Sequence, residues 1–235
     1  MKTPVVLLPA LLCNAGLFIH QIKALEDSCD FFVPETGLET DIGAAAQRIL
    51  RQVPDRFILG GISMGGYIAF EILRQAPERV AGVILMDTNA RSDSPAAQEN
   101  RKKMIEKVKK EGIEAVIEAA LLDILLPVNR ENDIIRHILV HMANTIGAKK
   151  YINQQTLIMN RPDSTNLLPK ISCPTLIMGG DQDILSPPKT MDNIAAQIPE
   201  STHIIIENSG HLPPIENPAA VTSAWRLFFK QVSFN

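Results

Sequence analysis

Cysteine is scarce. Only Cys13, Cys29 and Cys173 occur in 235 residues, and an odd number without a C-x-x-C spacing argues against a disulfide framework or a zinc site. A reducing compartment, the cytoplasm, fits. Charge of one sign is lacking too: 23 basic against 26 acidic residues give a net charge of −3 and a pI of about 6.0. Without a basic field, nucleic acid and anionic membrane surfaces are poor partners, and a small molecule is the expected one. No stretch approaches the roughly 20 apolar residues of a membrane span. The opening Lys2 and Val5-Val6-Leu7-Leu8 imitate a signal peptide, but Pro4 and Pro9 break the run and no small-x-small cleavage pattern follows. Internal repeats and low-complexity tracts are also missing. What is present is 46% hydrophobic residues, enough for one sizeable buried core.

The apolar pattern alternates between two periods. Short continuous runs at Val5–Leu8, Phe31–Val33, Phe57–Leu59 and Val80–Met86 have the form of buried parallel strands. Between them lie helical patterns: Leu17 to Leu25, Ile42 to Val53 behind the N-cap residue Asp41, and a centrally packed helix from Met64 that Pro77 ends. The alternation predicts right-handed β-α-β units and a mostly parallel, doubly wound α/β sheet of about six strands. It breaks from about Arg91 to Pro169, where only helices are expected, around Asn100 to Glu111, Ile113 to Leu126 and Ile134 to Ile146. It resumes with a strand at Pro174–Met178, a helix near Lys189–Ile198, a strand at His203–Ile206 and a helix at Ala219–Val232. Residues 1–90 and 170–235 are therefore expected to form the core, with 91–169 inserted as a helical cap over the strand ends.

The strand Phe57–Leu59 runs into Gly60-Gly61-Ile62-Ser63-Met64-Gly65-Gly66, whose core is Gly61-x-Ser63-x-Gly65. A strand-to-helix turn this sharp forces its serine toward an unusual φ/ψ and requires small neighbours two positions either side. Such a nucleophile elbow lifts Ser63 Oγ clear of the backbone and sets the Met64 N–H, at a helix N-terminus, where an oxyanion would form. A serine at its free pKa attacks poorly, so the elbow implies a histidine base and a carboxylate that orients it. Both types occur in loops after later strands, in Gly179-Gly180-Asp181-Gln182-Asp183 and in Ser209-Gly210-His211. Loops at one edge of a parallel sheet converge, and the order Ser, Asp, His is one known solution. Asp87, ending the strand Val80–Met86, reaches the same edge and is a second candidate acid.

These residues resemble the α/β-hydrolase superfamily over nearly the whole chain. The likeness rests on Gly61-Ile62-Ser63-Met64-Gly65, on Gly180-Asp181-Gln182-Asp183 with Pro187 behind it, and on Gly210-His211 with Pro214 and Glu216-Asn217-Pro218. Leu7-Leu8-Pro9-Ala10-Leu11-Leu12-Cys13 and Arg161-Pro162-Asp163-Ser164 are similar to a group of small bacterial esterase-like hydrolases with a helical cap. The resemblance implies a sheet beginning at what larger members count as their third strand, and ester hydrolysis through an acyl-enzyme. It also implies Ser63, Asp183 and His211 as the catalytic residues and Met64 and Leu11 as oxyanion N–H donors. The departure is Pro9-Ala10, where relatives more often carry His-Gly or Pro-Gly.

Other residues carry competing readings. Asp181 reads as a turn former, and His20, His137, His141 and His203, lacking a Gly-His context, as surface or packing histidines. The charged stretch 101–111 is either an anion-attracting lid or, the favoured reading, a solvated helix face with Met104, Ile105 and Val108 as its buried stripe. Leu122, Met142, Tyr151, Leu157 and Met159 are candidate pocket residues; Met142, Tyr151, Leu157 and Met159 serve equally as core between cap helices. Asp181-x-Asp183 fails as a calcium loop, and the glycines around Ser63 match no nucleotide motif, so no metal or cofactor is expected. The expected activity is a serine carboxylic-ester hydrolase for a small or medium, largely apolar substrate. A thioesterase, lactonase or C–C bond hydrolase uses the same residues, and a slow-turnover ligand-binding protein is the competing class. Oligomeric state is not legible.

Overall fold

The computed structural model describes residues 2–117 and 122–234. Six strands, β1 (Thr3–Leu8), β2 (Cys29–Phe32), β3 (Phe57–Ile62), β4 (Val80–Met86), β5 (Thr175–Gly180) and β6 (Ser201–Ile206), form one sheet in the order β2-β1-β3-β4-β5-β6. Every pairing is parallel. Neighbours β1 and β3 are not consecutive in sequence, so the winding reverses at β1, and helices cover both faces. On one face α1 (Ile19–Leu25) and α10 (Pro218–Phe229) bury Trp225 and Phe18 against Val5, Leu7, Ile58 and Ile84. On the other, α2 (Ile42–Leu50), α3 (Met64–Gln75) and α8 (Pro188–Ala195) pack on Val6, Leu8, Leu59, Val83 and Ile177. The period-2 alternation inside each continuous apolar run serves two cores at once.

Capping follows the sequence. Asp41 accepts the Ala44 N–H at 2.8 Å to start α2, and Ser94 accepts that of Ala97 at 3.2 Å to start α4 (Pro95–Glu111).

Between β4 and β5 the regular elements among the described residues are all helical: α4, the turn α5 (Glu114–Val116), the short α6 (Pro127–Arg130), α7 (Asp133–Met159) and a 3-10 helix at Thr165–Lys170. The expected helix from Ile113 to Leu126 departs from this. Its residues 118–121 lie outside the described set; within the rest the helical residues are Glu114–Val116 and, in π geometry, Ile117, with turns at Leu122–Ile124. The helix expected at Ile134–Ile146 ends where expected, because Gly147 takes φ 71°, but the chain then resumes helix to Met159. Among the described residues no helix is long and apolar enough to cross a membrane.

Candidate active site

Ser63 sits between β3 and α3 with φ 53° and ψ −116°, a conformation L-residues avoid, held by its N–H bond to Met86 O at 3.0 Å. Sterics explain the flanking glycines. A Cβ on Gly61 would lie 2.5 Å from Gly65 O, one on Gly65 only 1.9 Å from Leu8 O, and one on Gly66 2.3 Å from Thr88 Oγ1. Thr88 Oγ1 itself donates to Ser63 O at 2.9 Å, pinning the turn from β4. Met64 is the first residue of α3, so its N–H has no acceptor within the helix.

The loops after β5 and β6 are stitched together. Asp181 Oδ1 accepts the Ser209 N–H at 3.0 Å, Gln182 N donates to Ser209 O at 3.0 Å, and a Cβ on Gly180 would collide with Gly210 O at 2.0 Å. This close approach brings Asp183 Oδ2 to 2.7 Å from His211 Nδ1, both side chains nearly fully buried. The Leu185 N–H donates to the other oxygen, Oδ1, at 2.7 Å. Burial opposes ionisation of Asp183, but the His211 hydrogen bond and charge, helped by the Ser186 and Leu185 N–H groups, outweigh it and hold the carboxyl below its ordinary range.

Asp87 stands beside this pair, with ligand atoms of Asp87, Asp183 and His211 all within 4.8 Å of one another. It is fully buried at φ 43°, and its Oδ1 accepts the Gly180 N–H at 2.8 Å. Burial first, and the Asp183 charge second, push its carboxyl well above the usual range; the Gly180 N–H only partly opposes them. Two adjacent buried carboxylates do not both ionise. The protonated form of Asp87 is therefore the favoured one beside Asp183, and its Oδ2 has no hydrogen-bond partner among the described residues.

A cavity of about 520 Å³ opens over this edge, lined by Ser63, His211, Leu11, Leu12, Tyr67 and Met104 among others. In the turn after β1, Leu12 rather than Ala10 takes the left-handed conformation, at φ 61°, so the alanine Cβ meets no backbone penalty there. The Leu12 N–H is committed to Gln154 Oε1 at 3.1 Å, whereas the Leu11 N–H has no hydrogen-bond partner among the described residues. Of the candidate pocket residues, Tyr151 is on this lining and Leu122, Met142, Leu157 and Met159 are not. Met142 is buried against Gly16 in the core, Leu122 packs on the same cluster, and Met159 is half-buried away from the cavity. Met104, Val116, Ile124 and Ile158 complete its apolar wall. Two arginines, Arg101 and Arg161, also reach the lining; sequence reading offered Arg101 only within the disfavoured anion-attracting lid and gave Arg161 no site role. The signal for Arg101 was its place one turn before Ile105, on the buried stripe of α4. The remaining charges of 101–111 are largely solvated, as the favoured reading held.

Glu216, in α9 (Pro213–Glu216), was also missed as a positioning residue. Its Oε1 accepts the N–H groups on either side of His211, from Gly210 at 3.1 Å and Leu212 at 3.0 Å, and its Oε2 those of Leu126 at 2.7 Å and Asn129 Nδ2 at 2.9 Å. The remaining histidines lie elsewhere. His203 faces Asp192 at 3.2 Å, His137 stacks on His141, and His20 is exposed.

A parallel sheet wound on both faces, with a strained serine turn at its edge and helices inserted after β4, defines an α/β-hydrolase enzyme. The chain belongs to the Ndr family of that superfamily, whose sequence pattern matches residues 39–234. A thermophilic esterase from Thermogutta terrifontis, solved with malate bound, superposes with a TM-score of 0.93 at 32% identity, over 98% of this chain and 90% of that one. A Mycobacterium tuberculosis protein named as a non-heme bromoperoxidase, BpoC, is 29% identical over 196 residues, 80% of this chain and 73% of its own. The pimeloyl-[acyl-carrier protein] methyl ester esterase of Neisseria meningitidis is 25% identical over 194 residues, 80% and 74% of the two chains. Hydrolase activity is common ground with the esterases among these relatives.

Proposed function

We propose that the protein is a serine hydrolase cleaving a carboxylic ester, with Ser63 as nucleophile, His211 as general base and Asp183 as the acid that orients it. The observation that carries this reading is the 2.7 Å contact of buried Asp183 with His211 Nδ1 beside the cavity that Ser63 also lines. With Nδ1 held by an ionised carboxylate, the neutral ring keeps its proton there and presents Nε2 as the base. Ser63 Oγ adds to the ester carbonyl as its proton passes to Nε2, and the resulting oxyanion is met by the N–H groups of Met64 and Leu11. Collapse expels the alcohol, which takes the proton from the imidazolium and leaves an acyl-Ser63. Water then repeats the sequence, giving the acid and free enzyme. The inserted helices act as the cap, supplying apolar cavity wall from Met104, Val116 and Ile158. A reducing cytoplasm suits the three free cysteines.

Two measurements test this. A fluorophosphonate should label Ser63 and map to its peptide by mass spectrometry. On a panel of p-nitrophenyl esters and acyl thioesters, Ser63→Ala should lose at least about 10³-fold in kcat. Folded, active protein whose Ser63 stays unlabelled would remove the serine from the chemistry.

A further inference from the structure

The cavity carries more positive charge than its architecture needs. Arg161 donates Nη1 to Asp93 Oδ1 at 2.6 Å and to Ile158 O at 2.9 Å, and Nε and Nη2 to Arg91 O at 3.1 and 2.9 Å. Its guanidinium lies over the Tyr67 ring, 4.0 Å from the centroid, and its side chain is only 6% exposed. That single arginine neutralises Asp93 and ties together the two ends of the helical insertion. Arg101 is surplus to this clasp. It shares Asp93 through Nε to Oδ2 and donates Nη1 to Gln155 Oε1 at 2.8 Å, while Gln155 is itself oriented by its bond to Tyr151 Oη at 2.7 Å.

Burial opposes the charge on Asp93, but the two arginines outweigh it, so Asp93 stays ionised. Two guanidiniums against one carboxylate leave one positive charge in the wall. The other carboxylate on the lining, apart from Asp93, is Asp123, which pairs with Arg130 at 3.1 Å. Arg101 Nη2 has no hydrogen-bond partner among the described residues, and its side chain remains 21% exposed. The Tyr67 hydroxyl, on the same lining, likewise forms no hydrogen bond there. A guanidinium braced by two acceptors, with one amino group free, is a preorganised half of a charge-assisted pair.

We propose that Arg101 Nη2 binds a carboxylate of the substrate remote from the scissile bond. The ester hydrolysed at Ser63 is then one that bears a free carboxylate, such as a half-ester of a short dicarboxylic acid, rather than a plain apolar ester. This rests on the serine-hydrolase reading and narrows its substrate class.

The test compares matched esters with the carboxylate on either side of the bond: monomethyl glutarate against methyl hexanoate, and 4-acetoxybutanoate against pentyl acetate. In at least one pair the charged-to-neutral ratio of kcat/KM should fall about 10- to 100-fold in Arg101→Gln, chiefly through KM, the range expected for one charge-assisted hydrogen bond. Arg101→Lys should recover part of it, and the wild-type ratio should shrink as salt is raised. A ratio in Arg101→Gln within about twofold of wild type in both pairs overturns the proposal, whatever the absolute rates. Calorimetric binding of monomethyl glutarate to Ser63→Ala, with and without Arg101→Gln, keeps the two readings apart. Hydrolysis surviving in Ser63→Ala would sink the hydrolase reading while the binding difference still decides the arginine. Should Arg101→Gln fail to fold by circular dichroism, equal affinity of Ser63→Ala for monomethyl glutarate and methyl hexanoate overturns the proposal by itself.

Discussion

Two buried carboxylates with opposite shifts give the edge of the sheet a distinctive pH behaviour. Asp183 is held below its ordinary range, so it contributes stability that is fully present above the unfolded carboxyl pKa of about 3.9 and is lost as pH falls through the lower folded value. Asp87 is raised, which has the reverse sign. The folded state keeps a proton that the unfolded chain releases from about pH 4 upward, so stability drains away as pH rises until the folded carboxyl itself titrates. Asp87→Asn should remove that drain. Urea denaturation between pH 5 and 7 should show its stability slope more positive than wild type by up to about 1.4 kcal/mol per pH unit; parallel slopes would mean that Asp87 is ionised. Activity should rank the other way. Asp183→Asn should lower kcat by about 10³-fold or more, because the amide no longer secures the histidine tautomer, while Asp87→Asn, replacing one neutral hydrogen-bonding group by another, should cost far less.

At the scale of elements, α9 is four residues long yet ties the His211 loop to the helical insertion through Glu216. One carboxylate accepts four donors, three of them backbone N–H groups. Leaving buried donors unpaired costs about 1–3 kcal/mol each, so Glu216→Ala should destabilise by several kcal/mol, and Glu216→Gln, which still accepts at one atom, by less. Because two of those donors flank His211, kcat should fall in both variants. Unchanged kcat with reduced stability would make Glu216 a purely structural staple. The same clamp explains an element that periodicity misjudged. The segment expected to continue helix to Leu126 instead presents Ile124 O to the His211 N–H at 3.0 Å and the Leu126 N–H to Glu216, and those tertiary bonds compete with helix propagation.

For the whole molecule, the cavity exists only where the inserted helices meet the sheet edge, so its lining comes from both. Met104→Ala should enlarge it and shift preference toward longer or bulkier esters, whereas Leu122→Ala and Met159→Ala, whose side chains are off the lining, should leave the chain-length profile close to wild type. A selectivity series across the three variants checks this. A shift at Met159 equal to that at Met104 would relocate the substrate.

Much of this was legible in the chain itself. Continuous apolar runs separated by amphipathic helices dictate a parallel sheet, because only a strand buried on both faces tolerates such a run. Gly61 and Gly65 mark the close approach of strand and helix, since a Cβ there would fall 2.5 Å from Gly65 O and 1.9 Å from Leu8 O. Ser63 and His211, with Asp183 and Asp87 as alternative acids, were legible as candidates because chemistry at a strand edge needs those types in those loops. Tertiary structure alone decided the rest. Whether Asp87 or Asp183 faces His211 depends on angstrom-scale loop geometry, and Asp87's protonation depends on how completely its neighbours exclude water. Which apolar side chains of the insertion face the cavity depends on how its helices dock, so Met142 went to the core and Met104 to the lining. Arg101 belongs to the same class: a charged residue on a buried helical stripe announces a partner, but periodicity cannot name Asp93, because that contact is set by packing between segments and not by local spacing.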